Sequence, residues 1–382
     1  MSEACLPAGR PSLMKRLQMK KILFLFLLLF LLMDGFSQSL VKVADSVRRM
    51  RNIPGIVYAV FSTDSIYDIG AAGIKRIRTR SPVTVRNRFM VGSNTTTFTT
   101  YIAQKLVDAK KISWNTSLIS VLPELNGKTM KLYHKLTLQH FLSGRAGIRP
   151  FTELKDYQAS NLNALQGNPR QQRLFFTTQI LKEKPTLIED SSKGVYSVAS
   201  VCVATSMLEK ASGKSWEDLV QLYINKPLKM HVEFGFPIKK DSTEPSGHWD
   251  TYGGITAEPE NYWAYSFPVL VPSQGINITI SDYIRFIREY LLALQQKKST
   301  LSQKTANHML FGLPNYALGW SNIVWKENYI ANWIGRGAVF SSYVEIVADK
   351  NLAIVVLCNI GTTDGRAGSM NLGRILREHY VK

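Results

Sequence analysis

The sequence predicts one α+β unit in which an antiparallel sheet is assembled from both chain ends and a large helical region is inserted between them. Strand-like runs come first and last, and helical patterns fill the middle of the chain. No internal repeat or low-complexity linker interrupts residues 38–382, which favours a single continuous domain. We expect the sheet part to cover about residues 38–90 and 315–382, and the helical part about residues 91–314.

The individual elements follow from local patterns. Apolar residues at helical spacing predict a first helix, and two β-rich runs separated by a Thr-Asp-Ser turn predict a hairpin. Near the end, two strand-like runs flank the turn Asp349–Asn351, and a last helix closes the chain. In order, we expect a helix at Leu40–Met50, strands at Gly55–Phe61 and Ser65–Ile74, helices at Thr97–Ala109, Leu136–Leu142, Ser197–Lys210, Trp216–Tyr223 and Ser281–Gln296, strands at Val339–Val347 and Leu352–Leu357, and a helix at about Ser369–Tyr380.

Composition excludes several classes of protein. The 382 residues are 45% hydrophobic, which is enough for a buried core and excludes global disorder. Three cysteines without a C-x-x-C pair do not form a disulfide framework or a zinc ribbon, and six histidines contain no H-E-x-x-H. We therefore expect neither a metal site nor a cofactor. Cys202 and Cys358 lie in apolar runs typical of buried small hydrophobes, and whether they pair stays open.

The N-terminus has the pattern of an export signal. Ile22–Met33 is an unbroken apolar block after a basic flank. As a helix it would be about 18 Å long, short of the roughly 30 Å of a bilayer core. We interpret residues 1–37 as a secretory signal peptide that starts at Met19 and is cleaved between Ser37 and Gln38, so that the protein is periplasmic or secreted. The alternative is an uncleaved membrane anchor.

The high positive charge must then be explained for a protein that acts outside the cytoplasm. Removing residues 1–37 takes away five basic and two acidic residues, which lowers the formal net charge from +19 to +16. An exported protein rarely meets nucleic acid, and no aromatic-basic repeat is present, so we expect no nucleic-acid partner. Anionic cell-envelope polymers or lipid headgroups are the alternative partners, and a merely solubilising surface is a third explanation.

Ser93 is the first candidate for chemistry. It follows Gly92 and precedes an apolar-periodic run, which places it at the N-terminus of a helix. There the helix dipole and free amide hydrogens stabilise a developing oxyanion. The alternative is a simple N-cap, because serine is a preferred capping residue.

Landmarks along the rest of the chain carry a family resemblance. They read VLPEL at Val121–Leu125, LTLQHFLSGRAGI at Leu136–Ile148, GVYSVASVCVATSMLEKASGKSWEDLV at Gly194–Val220, PSQGINITISDYIRFI at Pro272–Ile287 and YALGW at Tyr316–Trp320. In this order they resemble the serine β-lactamase-like superfamily, which includes penicillin-binding-protein-related peptidases, class C β-lactamases and related esterases. The resemblance spans nearly all of residues 40–382. It implies a β-lactamase/transpeptidase-like fold, Ser93 as nucleophile, and a small-molecule or peptide ligand in the cleft.

The positions that would carry the chemistry depart from the family pattern. The first motif, S-x-x-K, reads Ser93-Asn94-Thr95-Thr96, and a threonine hydroxyl is no general base near neutral pH. The Tyr-x-Asn motif keeps Tyr196 but has Val198 in place of the amide. A tyrosine of pKa about 10 acts as a base only where a nearby cation stabilises the phenolate.

The third motif departs as well. Lys/His-x-Gly reads Trp333-Ile334-Gly335, so the glycine that admits a substrate to the strand backbone is kept and the cation is not. Arg145 and Arg336 lie in or beside the altered motifs, at positions where the family pattern has no arginine. We expect them to bind a carboxylate or to lower the tyrosine pKa, and the alternative is that they simply point to solvent.

Three functional hypotheses follow. The first is a non-catalytic or strongly impaired family member that binds a ligand through contacts with Trp333, Gly335, Arg336 and Val198. The second is an active esterase, peptidase or acyltransferase with Ser93 as nucleophile and Tyr196 as base. The third is a purely structural envelope protein. Substrate and oligomeric state stay open.

Overall fold

The computed structural model describes residues 40–160, 162–186, 193–239, 243–251, 253–258, 267–337 and 339–381. The predicted signal peptide and its cleavage site lie outside the described residues. The helices before residue 190 are α1 (40–50), α2 (Thr95–Asp108), α3 (Leu118–Val121), α4 (Lys131–His134), α5 (Leu138–Leu142), α6 (Leu154–Ala159) and α7 (Pro169–Ile180). The later ones are α8 (Val198–Ser212), α9 (Trp216–Val220), α10 (Lys226–Leu228), α11 (Val271–Gln274), α12 (Ile280–Leu294), α13 (Gln303–Phe311) and α14 (Thr363–Tyr380).

Eleven strands form three antiparallel sheets in the described part of the chain. They are β1 (Gly55–Phe61), β2 (Ile66–Gly73), β3 (Arg88–Met90), β4 (Glu233–Phe234), β5 (His248–Thr251), β6 (Gly254–Ala257), β7 (Ile276–Thr279), β8 (Ser321–Trp325), β9 (Asn328–Arg336), β10 (Ser341–Val347) and β11 (Leu352–Cys358). The main sheet has the order β2-β1-β11-β10-β9-β8, and the small sheets are β3-β7-β4 and β5-β6. The prediction of an α+β fold with an antiparallel sheet built from both chain ends is confirmed.

The main sheet is covered on both faces because its central strands are apolar throughout. All seven residues of β1 are buried. Ile56, Tyr58 and Val60 share one core cluster with residues of α1 and α14, and the alternate residues Val57 and Ala59 share the other with the helical region. Alternation of side chains along the strand explains this division. The sheet is therefore the layer on which α12 and α14 pack, and strands β9 and β10 contact the turn that carries Ser93.

Most predicted elements are present, with shifted ends. Helix α1 and strand β1 have the predicted bounds, whereas α14 begins six residues before the predicted start at Ser369. Its first turns contain Gly365 and Gly368, which lower helix propensity. Close packing explains why glycine is present there, because a Cβ on Gly368 would overlap the end of the Ile53 side chain. Strand β8 and helix α7 were not predicted, whereas the strand that carries Gly335 was.

A buried ion cluster joins the helices of the inserted region. Arg173 on α7 is fully buried and forms ion pairs with Glu209 on α8 at 2.6 Å and with Glu217 on α9 at 2.9 Å. The backbone N–H of Trp216 also donates to Glu209 at 2.8 Å. One guanidinium thus connects three helices whose apolar sides face the core.

Cys202 and Cys358 are free and buried, so they do not pair with each other. Among the helices in the described ranges, none is long and apolar enough to cross a membrane.

Candidate active site

Ser93 lies where the chain enters α2. It belongs to a 3₁₀ turn, Gly92–Asn94, that runs directly into the helix. Gly92 has φ +55°, and a Cβ there would overlap the backbone between Arg336 and Gly337. Glycine is therefore required both for the left-handed conformation and for the close approach of β9. Ser93 is 6% exposed and donates its hydroxyl hydrogen to the Arg336 carbonyl at 3.2 Å.

Thr96 faces the tyrosine of the second motif. Its hydroxyl lies 3.3 Å from the Tyr196 hydroxyl and 3.4 Å from the Ser273 carbonyl oxygen. The Tyr196 hydroxyl in turn donates to the same carbonyl at 3.2 Å. Two motifs 100 residues apart therefore meet, and a neutral hydroxyl occupies the position at which the family has its lysine.

Tyr196 is poorly suited to accept a proton. Burial raises the pKa of its phenol to about 12, although the nearby hydroxyls of Ser93 and Thr96 act in the opposite direction. At pH 7 about one molecule in 10⁵ would carry the phenolate. None of the causes of this pKa shift is a positive charge. The predicted requirement for a nearby cation is thus unmet within the described residues.

Gly335 serves the packing of the Ser93 segment. A Cβ at this position would overlap the Val91 carbonyl oxygen and the Ser342 hydroxyl. Ser342 accepts a hydrogen bond from Asn94 and donates one to the Val91 carbonyl, both at 2.7 Å. The glycine therefore lets β9 and β10 hold the turn that carries Ser93. Its predicted contact with a ligand stays a prediction.

Trp333 is partly buried among aromatic rings. Its ring centroid lies 5.3 Å from that of Tyr196, edge to face, and 5.0 Å from that of Tyr316. The indole nitrogen is enclosed, and no hydrogen-bond partner for it is present among the described residues. Tyr316 itself is buried, and this burial raises its pKa well above the usual value. An apolar aromatic cluster thus stands where a cation would otherwise act on Tyr196.

The two new arginines do not act on Tyr196. Arg145 donates to the backbone carbonyls of Ser143 at 2.9 Å, Tyr316 at 2.7 Å and Pro314 at 3.0 Å. Arg336 forms an ion pair with Glu153 at 3.1 Å, with both side chains about half exposed. The pKa of Tyr196 is raised rather than lowered, so the expectation that these arginines lower it is wrong. Arg145 instead fixes loops behind the aromatic cluster.

The segment before α6 positions Tyr196 from the other side. The Ser197 hydroxyl donates to the Arg149 carbonyl at 2.6 Å, and the Val198 N–H donates to the Pro150 carbonyl at 2.8 Å. Val198 is 1% exposed and belongs to the core. It therefore replaces the family's amide with a buried apolar side chain, and its predicted role in ligand binding stays a prediction.

Sequence reasoning missed the Ser273 carbonyl and Glu153. A backbone carbonyl has no side-chain signature, and only the landmark at Pro272–Ile287 marked this stretch of chain. Within the described ranges no group of three or more His, Cys, Asp or Glu residues is arranged to hold a metal ion.

Comparisons with known proteins agree with the sequence landmarks. The beta-lactamase family model matches residues 40–377. A beta-lactamase of Escherichia coli (strain K12) is 24% identical over 351 residues, covering 81% of this chain and 85% of that protein. Penicillin-binding protein 4 of Amycolatopsis lactamdurans is 24% identical over 251 residues, covering 65% and 62%.

Solved structures show the same fold. The octameric penicillin-binding protein homologue from Pyrococcus abyssi is similar with a TM-score of 0.72 and 18% identity, covering 89% of this chain and 77% of that one. The class C beta-lactamase from Rhodobacter sphaeroides has a TM-score of 0.68 and 16% identity, covering 88% and 99%. At such identities the likeness concerns the fold alone.

Proposed function

The chain belongs to the beta-lactamase family, and from this premise we propose that it is an exported member that has lost ordinary catalysis and binds a ligand in the Ser93 cleft. The ligand class is a peptide, an ester or a cell-wall fragment. One observation carries the proposal: the Thr96 hydroxyl, not an amine, lies 3.3 Å from the Tyr196 hydroxyl. Losing the base of a nucleophile–base unit typically removes several orders of magnitude in rate.

The electrostatics around Tyr196 support this proposal. Its raised pKa disfavours proton uptake from Ser93, and the Ser93 hydroxyl hydrogen bonds to the Arg336 carbonyl, which is not a base at neutral pH. The aromatic surface of Trp333 and Tyr196 is partly exposed, as a ligand-binding wall requires. Binding therefore needs no residue that the chain lacks, whereas turnover does.

A fluorophosphonate probe tests the loss of catalysis. We expect purified residues 38–382 to show no more labelling than the Ser93→Ala variant. Ser93-dependent labelling at a rate typical of serine hydrolases would remove the proposal. Binding is tested separately by calorimetry with a soluble muropeptide mixture. We expect saturable binding heat from the wild-type protein and an affinity at least tenfold weaker in Trp333→Ala. The absence of binding heat in both proteins would favour a structural role.

Export is tested by the mature N-terminus. We expect N-terminal sequencing of the natively expressed protein to begin at Gln38. A protein that keeps residues 22–33 and sediments with membranes would instead support the anchor.

A second candidate is an active esterase, peptidase or acyltransferase with Ser93 as nucleophile and Tyr196 as base. One observation favours it: the Ser93 hydroxyl is among the groups that lower the pKa of Tyr196, so the two side chains lie close enough to interact. The probe experiment decides between the two candidates.

A further inference from the structure

The loop after β2 is rich in positive charge. Residues 75–80 read KRIRTR, and Arg78 and Arg80 are exposed while Arg76 is partly exposed. The side chains of these three arginines form no ion pair or hydrogen bond with any described residue. Lys75, by contrast, donates to the Thr243 carbonyl at 2.7 Å. Three guanidinium groups are therefore available to an anion.

The loop is held firmly at its base. The Lys75 N–H donates to the Ser81 carbonyl at 2.9 Å, which closes the loop. The Ile77 N–H donates to Nε2 of the buried His248 at 3.2 Å, and Asn359 donates to the Lys75 carbonyl at 3.0 Å. Arginines on a fixed backbone lose less conformational freedom on binding than arginines on a mobile one.

The tip of the loop has an arginine where glycine is conformationally favoured. The Thr79 N–H donates to the Arg76 carbonyl at 3.2 Å, so residues 76–79 form a β-turn with Arg78 at its third position. Arg78 has φ +62°, a region that side chains other than glycine adopt only at a cost. Nine other non-glycine residues of the described chain share a positive φ, so this conformation points to function only together with the unpaired charges of the loop.

The loop lies on the same edge of the main sheet as Ser93. Cross-strand partners run in one row from Arg336 through Ser341, Cys358 and Ile56 to Ala72. Four strand spacings make this row about 19 Å long. The row joins the residue whose carbonyl accepts the Ser93 hydroxyl to the start of the basic loop, and Ser341, Cys358 and Ile56 in its middle are fully buried. The segment 246–248 covers this edge, because the N–H groups of Ser246 and His248 donate to the carbonyls of Lys75 and Val339.

Another arginine lies between the two ends of the row. Arg366 is in the first turn of α14, and its neighbour Gly365 packs against the Ser341 side chain. Burial and then the nearby charge of Arg336 lower the pKa of Arg366, and Glu153 acts in the opposite direction. Two positive charges thus share one carboxylate at the cleft end of the row.

We propose that the loop arginines Arg76, Arg78 and Arg80 bind an anionic polysaccharide, and that a chain long enough to pass over the segment 246–248 also reaches Arg366 and Arg336 at the cleft. The planar guanidinium fork matches carboxylate groups in pairs, and a linear array of such forks suits a polymer with regularly repeated charges. This binding does not depend on whether Ser93 is reactive. A glycan is named as the ligand because the protein is proposed to be exported, so this part rests on the proposed function.

A lipid surface fits the loop less well. Membrane-surface segments combine basic residues with apolar side chains that enter the headgroup region. Ile77 is the only large apolar residue of the loop, and it is partly buried. The loop therefore offers charge without an apolar anchor.

Binding of alginate, a polyuronate, tests the proposal. We expect fluorescence anisotropy with labelled alginate oligomers to show binding that weakens strongly from 50 mM to 500 mM salt, because exposed charges are screened. The variant Arg76→Gln/Arg78→Gly/Arg80→Gln is expected to bind at least tenfold more weakly. Arg78→Gly alone should bind more weakly while its melting temperature stays equal or rises, because glycine relieves the positive φ.

Lys110→Gly is the matched control. Lys110 also has a positive φ (+55°) and an exposed side chain, but it follows the far end of α2, about 21 Å along that helix from its start. We expect its alginate affinity to be unchanged. Equal alginate affinity of the triple variant and the wild type would overturn the proposal. So would tighter arginine-dependent binding of poly(U) RNA or of phosphatidylglycerol vesicles than of alginate. An unchanged affinity of Arg366→Gln would overturn the path to the cleft.

Discussion

The hydroxyl of Thr96 lies 3.3 Å from the hydroxyl of Tyr196, and both groups are directed at the Ser273 carbonyl oxygen. Position 96 thus faces the tyrosine of the second motif and carries a hydroxyl group instead of an amine. Because the surrounding architecture persists, one substitution at position 96 tests whether the base alone is missing.

Thr96→Lys is expected to increase fluorophosphonate labelling of Ser93 at least tenfold. Residues at i and i+3 of a helix are neighbours about 5–6 Å apart, so the new amine would reach the Ser93 hydroxyl. Labelling rates of the purified variant measure the effect. Thr96→Val, which preserves shape without adding a base, should show no gain. A folded Thr96→Lys protein that labels no faster than wild type would contradict the prediction and implicate Trp333 or Val198.

Gly335→Ala is expected to lower the free energy of unfolding by about 2–3 kcal/mol, because the added methyl would overlap the Val91 carbonyl and the Ser342 hydroxyl. Thermal and urea unfolding measure the loss. The control is Gly253→Ala, where the nearest atom to the new Cβ would be 3.9 Å away and little change is expected. Equal stability of the two variants would show that β9 does not need this close approach.

Stability is expected to fall between pH 6.5 and pH 4 because of His248. Its ring is fully buried, with Nδ1 2.7 Å from the Asn359 carbonyl and Nε2 accepting from the Ile77 N–H. Burial lowers its pKa to about 4. Below the usual histidine pKa of 6.5 this ring is protonated in the unfolded chain but stays neutral in the folded one. The contribution of His248 to stability is therefore complete above pH 6.5, and about 3 kcal/mol of the free energy of unfolding is lost by pH 4.

Urea unfolding at pH 7 and pH 4.5 measures this loss. His248→Asn should be less stable at pH 7 but less sensitive to acid than wild type. If the free energy of unfolding of His248→Asn falls with pH as steeply as that of the wild type, the acid sensitivity comes from other groups.

Arg173→Leu is expected to destabilise the protein by about 3–5 kcal/mol, because it leaves the carboxylates of Glu209 and Glu217 near each other without their counter-charge. Calorimetric or denaturant unfolding measures the change. Lys210→Met removes an exposed ion pair with Glu124 and should cost less than 1 kcal/mol. Similar losses in the two variants would contradict the structural role given to the buried cluster.

Much of the fold was predictable because it rests on local periodicity. The runs at Gly55–Phe61 and Leu352–Cys358 are apolar throughout and pair at the centre of the sheet, and the pattern at 40–50 gives α1 its bounds. Helix α14 was mispredicted at its start because its glycines are retained for packing against other elements. Strands β8 and β9 lie near the sheet edge, with residues of mixed polarity that give a weak period-2 signal.

Local patterns were sufficient to predict that Ser93 opens a helix, that Thr96 stands in the place of the lysine, and that the first and last strands join one sheet. The folded chain was needed to find that Thr96 faces Tyr196 beside the Ser273 carbonyl, that Arg145 binds backbone carbonyls, and that Gly335 makes room for Val91. The physical reason is that these contacts join residues far apart in the chain and use backbone atoms, which every residue has. Local spacing encodes which face of a helix or strand is apolar, whereas the partner of a polar group depends on how those faces pack.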